Sequence, residues 1–253
     1  MVDIYELLAP LYDELNQDVD YEKIASFTDR QIQAHTSRRV HKILDLACGT
    51  GALSLPLASR GYSVVGLDLS PNMLSVASEK AREAGLDCFF TMQDMIDFDL
   101  GGEVDAVVCT MDGINHLTQP EQMRAAISCV GRHLADGGIF VFDVNSKFKF
   151  ESIYGDEAYT METDTAFCIW QNVWRPSSRI CDFLITLFEK DADGRYRRYD
   201  ALQRERYYPL KTLSRTLLSC GMELLAVYGS TECDPVGEDS EKWYLVARKV
   251  KQI

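Results

Sequence analysis

The apolar run Ile43-Leu44-Asp45-Leu46 passes through Ala47 and Cys48 into Gly49-Thr50-Gly51, two glycines separated by one residue. A buried strand that carries an acid and runs straight into such a turn has few uses. Glycine permits the positive φ and the close ligand approach that a side chain blocks, and a helix starting near Gly51 aims its free N–H groups back at whatever is bound. A second apolar strand, Val64-Val65-Gly66-Leu67, ends in Asp68, at the spacing where a carboxylate accepts from both hydroxyls of a ribose. Dinucleotide sites usually add a third glycine, which lets the helix pack tightly on the strand; here that position is Ser54. The spacing therefore favours a nucleoside-type ligand other than a nicotinamide dinucleotide.

The string Asp45-Leu46-Ala47-Cys48-Gly49-Thr50-Gly51, with Asp68 and the later Gln93-Asp94-Met95, resembles the class I S-adenosylmethionine-dependent methyltransferases, whose first motif is commonly written DLGCGTG. It departs from that motif at Ala47, where a methyl group is tolerated if the loop carries no positive φ. The resemblance covers about residues 38–145 and 210–249. It implies an α/β Rossmann-like fold: a mainly parallel seven-stranded sheet with helices on both faces, interrupted by a small antiparallel β insert. Residues 1–145 and 210–253 would form the cofactor-binding core, and 146–209 the insert over the active site. By the same resemblance, Asp45 and the backbone from Ala47 through Gly49 to Gly51 hold the methionine end of S-adenosylmethionine. Asp68 takes the ribose hydroxyls, Leu69 and Met73 pack on the adenine, and Asp94 with the Met95 N–H, in the run starting at Gln93, reads the adenine edge. The stretch Cys109 to His116, with Asp112, would line the methyl-transfer face.

Periodicity supports that architecture independently. From the glycine turn onward, strands and helices alternate, the signature of a parallel sheet covered on both faces. Ser70-Pro71 sets a cap before a first-turn proline and Gly85 closes that helix. Residues 88–93, 104–111 and 139–144 read as further strands, and Thr118 with Glu121 as a capping box opening the intervening helix. After Asn145 the period changes. Residues 165–174, 180–190 and 195–208 are β-branched and aromatic runs separated by turn residues, which reads as an antiparallel meander. Helix returns over 209–221, and 223–228 with 243–248 supply a closing hairpin. Four carboxylates, Asp45, Asp68, Asp94 and Asp112, fall at or near strand ends, where open α/β sheets bind ligands. They suit a cofactor with an ammonium, a sulfonium, a ribose diol and an adenine amino group; a pyrophosphate would be repelled.

The lead segment Tyr5 to Leu15 carries an apolar face at helical spacing broken by Pro10, and resembles the methyltransferase lead in which a Tyr-Asp pair lies across the cofactor mouth, here Tyr12-Asp13. Tyr12 is thus a candidate to touch cofactor or acceptor. His116, just after the fourth strand and with a pKa near neutrality, is the candidate general base, against the alternative of a loop histidine packing on the next helix. A formal net charge of −13 argues against a nucleic-acid partner, and no stretch reads as a membrane span or signal peptide, so a cytoplasmic monomer or homodimer is expected. The eight cysteines are scattered without a Cys-x-x-Cys pair and read as reduced thiols, and no metal-ligand spacing is present. The expected activity is methyl transfer to a small molecule by in-line displacement. Two alternatives remain open: a nicotinamide-dependent oxidoreductase, and a catalytically silent cofactor-binding regulator. The meander concentrates Arg195, Arg197, Arg198, Arg204 and Arg206, and a period-two strand puts Arg204, Arg206 and Tyr208 on one face. Aimed into a pocket, Arg206 would suit an anionic acceptor, the class that glycine-type N-methyltransferases, which the lead and insert resemble, also bind.

Overall fold

The computed structural model describes Tyr5, Ala9 and residues 11–250. Seven strands form one sheet in the order β10-β11-β5-β4-β1-β2-β3. The strands β1 (Lys42–Leu46), β2 (Ser63–Asp68), β3 (Cys88–Met92), β4 (Val104–Cys109) and β5 (Leu134–Asn145) run parallel, while β11 (Lys242–Lys249) pairs antiparallel to β5 and β10 (Met222–Tyr228) antiparallel to β11. Parallel neighbours need crossover helices, which cover both faces. These are α1 (Tyr21–His35), α2 (Ser54–Ser59), α3 (Pro71–Ala84), α4 (Pro120–His133) and α5 (Leu210–Ser219). Two buried clusters result. Leu44, Leu46, Phe140 and Phe142 meet α4 and α5 on one face, and Ile43, Val64, Val108 and Val141 meet α1 and α2 on the other. The chain order reverses between β1 and β4, so the crevice at their carboxyl ends is the natural ligand site.

Local chemistry sets the helix ends. Asp20 accepts from the Lys23 N–H at 2.9 Å, Ser70 from the Met73 N–H at 3.3 Å, and Gly85 closes α3 at φ 63°. The start of α4 differs from the expected Thr118–Glu121 box. Pro120 occupies the first turn and forces extended backbone on the residue before it, so Gln119 is the cap, and its N–H donates to Gln122 Oε1 at 3.3 Å. Among the described residues no helix is long and apolar enough to cross a membrane. All eight cysteines are free.

The insert is a four-stranded antiparallel sheet, β6 (Ala158–Glu162), β7 (Ala166–Arg175), β8 (Ile180–Lys190) and β9 (Tyr196–Arg206). Sequence reading finds three of these strands. It misses β6, whose side chains are almost all exposed and therefore show no alternation. The register gives the sheet one buried face, on which Cys168, Cys181, Phe183 and Ile185 pack with Phe150. Asn172, Phe183 and Gln203 stand opposite one another across β7, β8 and β9, and Trp174, Cys181 and Glu205 form the next row on that face. This face lies over the carboxyl rim. Gln203 reaches His116 in the loop after β4, and Glu205 reaches Asn145 at the end of β5.

Gly131 lies where α4 passes the carboxyl end of α5. A Cβ there would stand 2.8 Å from the backbone oxygen of Cys220. Alanine gains about 1 kcal/mol of helix propensity over glycine, but overpacking against a rigid carbonyl costs about 1–3 kcal/mol. Gly131→Ala is therefore expected to lower the unfolding temperature; an unchanged or raised melting temperature in calorimetry would contradict this packing.

Candidate active site

The glycine turn is held from both sides. Asp68 Oδ2 accepts from the Gly49 N–H at 2.8 Å and Oδ1 accepts from the Ser70 N–H at 2.9 Å, so one carboxylate joins the ends of β1 and β2. From above, Asp13 accepts from the Thr50 hydroxyl at 2.5 Å and pairs with Lys80 at 2.5 Å, clamping the lead segment across the loop. Ala47 has φ 59°. The condition under which its methyl group is harmless is not met, and Ala47 holds a left-handed conformation that glycine adopts without strain.

A groove of about 260 Å³ lies along this loop, lined by Ala47, Gly49, Asp68, Leu69, Met73 and Gln93, with Tyr12 and Met95. Leu69 is 59 % exposed, an apolar side chain left bare beside a carboxylate, as expected where a flat heterocycle would cover it. A ribose diol at Asp68, an adenine on Leu69 and a cationic chain near the glycines all fit these residues, so the groove suits S-adenosylmethionine.

Five of the expected cofactor residues lie elsewhere. Asp45 is buried beneath the loop, where its Oδ2 accepts from Ser54 Oγ at 2.5 Å. Burial pushes its carboxyl up to about 7, against the lowering effect of Ser54. Gly51 is packed against Leu55, Ala77 and Phe90. Asp94 turns back on its own loop, accepting from the Ile96 N–H at 3.0 Å, while its neighbours Gln93 and Met95 face the groove. Cys109 is fully buried under Gly113.

Asp112 belongs to a second, larger cavity of about 700 Å³ between the rim and the insert. Five residues line both spaces: Tyr5, Tyr12, Met111, His116 and Gln203. Met111 and Asp112 both have left-handed φ, 55° and 56°, and their N–H groups donate to Asp143 at 3.0 and 2.6 Å. Lys242 sits 2.6 Å from Asp112 and 3.6 Å from Asp143. Burial opposes charge on every member of this group, yet Lys242 holds Asp112 well below the usual carboxylate range, and the two carboxylates raise Lys242 above its ordinary value.

His116 is not a loop histidine packed on the next helix. Its Nε2 lies 3.2 Å from the Tyr5 hydroxyl and its Nδ1 2.6 Å from Gln203 Nε2, and burial lowers its pKa against the opposing pull of Asp112. Glu205, 3 % exposed, accepts from Asn145 Nδ2 at 2.8 Å. Burial and then Asp112 push its carboxyl well above the usual range. The candidate ligand atoms of Asp112, His116 and Glu205 lie within 4.8 Å of one another, a grouping that no local spacing in the sequence shows.

The arginines do not enter the cavity. Arg204 pairs with Asp182 at 3.0 Å and Arg206 donates to the Thr118 carbonyl. Strand alternation puts Gln203 and Glu205 on the inner face of β9, hence Arg204 and Arg206 on the outer one. The alternation was legible but its phase was not, since it depends on which face finds Phe150 and the rim. Tyr208 is likewise buried, with its hydroxyl donating to the Leu117 carbonyl.

A methyltransferase-domain family matches residues 43–138. Over 254 residues the chain is 32% identical to YqeM of Bacillus subtilis (strain 168), named as a methyltransferase, covering 99% of each chain. It is also similar to the crystal structure of an S-adenosylmethionine-dependent methyltransferase from Clostridium acetobutylicum ATCC 824, with TM-score 0.87 and 27% identity, covering 98% of this chain and 100% of that one.

Two outcomes follow from this geometry. Asp68→Ala removes a carboxylate that orders the loop and faces the groove; with charge-assisted bonds worth roughly 1.5–3 kcal/mol each, S-adenosylhomocysteine affinity should fall at least tenfold by calorimetry. Asp45 has a folded pKa of about 7, raised above its unfolded value, so its favourable contribution is present at acid pH and is lost as pH rises from the usual carboxylate range toward 7. Asp45→Asn should flatten that loss in denaturant titrations across this range; parallel pH curves would contradict the burial argument. The glycine turn on Asp68, the rim groove and the full-length relatives together place the chain among the class I S-adenosylmethionine-dependent methyltransferases, and the oxidoreductase alternative falls away.

Proposed function

We propose that the chain methylates a nucleophilic nitrogen or oxygen of a small-molecule acceptor held between the rim and the insert. One observation carries this reading: the cofactor groove opens, at Tyr5, Tyr12, Met111, His116 and Gln203, into a cavity of about 700 Å³ that is large enough for a second small molecule. A silent regulator would need no such space. The relatives agree in class, since the chain is 33% identical over 138 residues, 54% of its length, to a Streptomyces fradiae enzyme named dTDP-3-amino-3,6-dideoxy-alpha-D-glucopyranose N,N-dimethyltransferase. The anionic acceptor suggested by the meander arginines has no support in their placement. The net charge of −13 also argues against a nucleic-acid acceptor.

S-adenosylmethionine held along the Gly49 turn and Asp68 would supply an activated methyl group, open to in-line displacement by the acceptor's lone pair with the bonding electrons left on sulfur. The chain contributes position, which can supply on the order of 7–11 kcal/mol when reacting atoms are held in near-attack geometry. Tyr5 and Tyr12 close the junction from above and exclude water. His116, kept neutral by burial, takes the proton that the acceptor atom sheds at Nε2, where that atom replaces the Tyr5 hydroxyl, and Gln203 holds the ring at Nδ1.

The test is transfer of labelled methyl from S-adenosylmethionine to a low-molecular-weight cell extract. Label in the small-molecule fraction supports the reading; label confined to protein or nucleic acid, or none, refutes it. With the acceptor so identified, His116→Asn should lower turnover by about 10²-fold while the protein still binds S-adenosylhomocysteine. Because the folded His116 pKa lies below its ordinary value near 6.5, the acid limb of the wild-type rate should fall below pH 6.5 and vanish in the variant.

A further inference from the structure

We propose that Glu205 and Asn172 form the acceptor-recognition subsite of the larger cavity, and that it selects an amine carrying a second hydrogen-bond donor. The inference rests on the small-molecule reading above and narrows it. Glu205 and Asn172 stand on the same inner face of the insert, on β9 and β7, in adjacent cross-strand rows. Both line the cavity. Asn172 is 1 % exposed; its Nδ2 donates to the Tyr154 carbonyl at 3.1 Å, which fixes the amide, and its Oδ1 has no partner among the described residues. Leaving such an acceptor unmade costs about 1–3 kcal/mol, a cost that a ligand N–H or O–H would recover.

Glu205 presents a related demand. Its Oε2 accepts from Asn145, and among the described residues it has no ion pair. Of the ammonium groups near it, Lys242 is engaged by Asp112 and Asp143, and Lys149 stands over the Tyr154 ring, 5.2 Å from its centroid, with no ion pair to Glu205. A buried carboxyl is stabilised by a cation brought to it, and an amine is the cation a small acceptor can bring. A metal ion fits less well, because Asp112 is held by Lys242. Tyr12, Tyr154 and Trp170 add aromatic faces to the wall, which suit either a flat skeleton or an ammonium. Glu205 also lies within 4.8 Å of His116, so an amine on Glu205 is delivered beside the proposed base.

Tyramine, tyrosol and 4-hydroxyphenylacetate share one skeleton and end in an ammonium, a hydroxyl or a carboxylate. Calorimetry on the full chain saturated with S-adenosylhomocysteine should show tyramine binding at least tenfold more tightly than the other two. Glu205→Gln keeps the acceptor for Asn145 and should abolish that preference without changing S-adenosylhomocysteine affinity; Asn172→Ala should weaken tyramine severalfold and leave the preference in place. Equal or tighter binding of the carboxylate, an amine preference that survives Glu205→Gln, no tyramine binding at millimolar concentration, or loss of binding on adding EDTA would each overturn the subsite. Failure of S-adenosylhomocysteine itself to bind would instead strike at the methyltransferase reading.

Discussion

Lys242 carries its ammonium, 15 % exposed, to the rim, where Asp112 and Asp143 keep it charged. Removing one partner of such a group strands the other charge, at a cost of about 3–5 kcal/mol. Much of the site hangs on this contact. Asp143 takes the N–H groups of Met111 and Asp112, which lets two side-chain-bearing residues hold left-handed backbone in succession. That bend starts the short turn Gly113–His116, whose Asn115 accepts from the Asn145 N–H at 2.9 Å and donates to the Arg206 carbonyl at 2.8 Å. One buried ion group thus ties the closing hairpin, the end of β5, the loop after β4 and the docked strand of the insert into a single frame.

That frame explains why the two cavities meet where they do. The glycine turn and Asp68 belong to the sheet and shape the cofactor groove, whereas the insert contributes Gln203, Glu205 and Asn172 to the other space. His116 stands at the junction because its turn is held from both directions. A reaction that needs alignment more than bond polarisation is served by such an arrangement, in which two spaces built by different layers meet at one junction. The strain at Ala47, Met111 and Asp112 is concentrated at the same rim, as is common where backbone is bent to serve a ligand.

Charge has a similar division. The chain is acidic overall, and its meander arginines are spent outward on Asp182, Asp200 and a backbone carbonyl. The inward face of the same sheet is lined by acceptors and aromatic rings, with Lys149 lying 5.2 Å over the Tyr154 ring. Strand alternation separates the two sets by a single residue, so Arg204 and Glu205, adjacent in sequence, face opposite environments.

The sequence by itself determined what depends on local order. The glycine turn, Asp68 at the end of the second strand, the alternation of strand and helix, and the change to period two after Asn145 all follow from near neighbours, because turn conformation and amphipathic period are properties of a few consecutive residues. Tertiary structure decided the rest. The φ of Ala47 is imposed by closing the loop onto β2, so no string of letters announces it. The role of Asp45 depends on Ser54 reaching beneath the loop, and that of Asp94 on its own turn. The phase of β9 was set by Phe150 and the rim, which turned Arg206 out and Glu205 in. The cluster of Asp112, His116, Glu205 and Lys242 spans much of the chain, and only packing of the insert and the last hairpin onto the rim brings those side chains together.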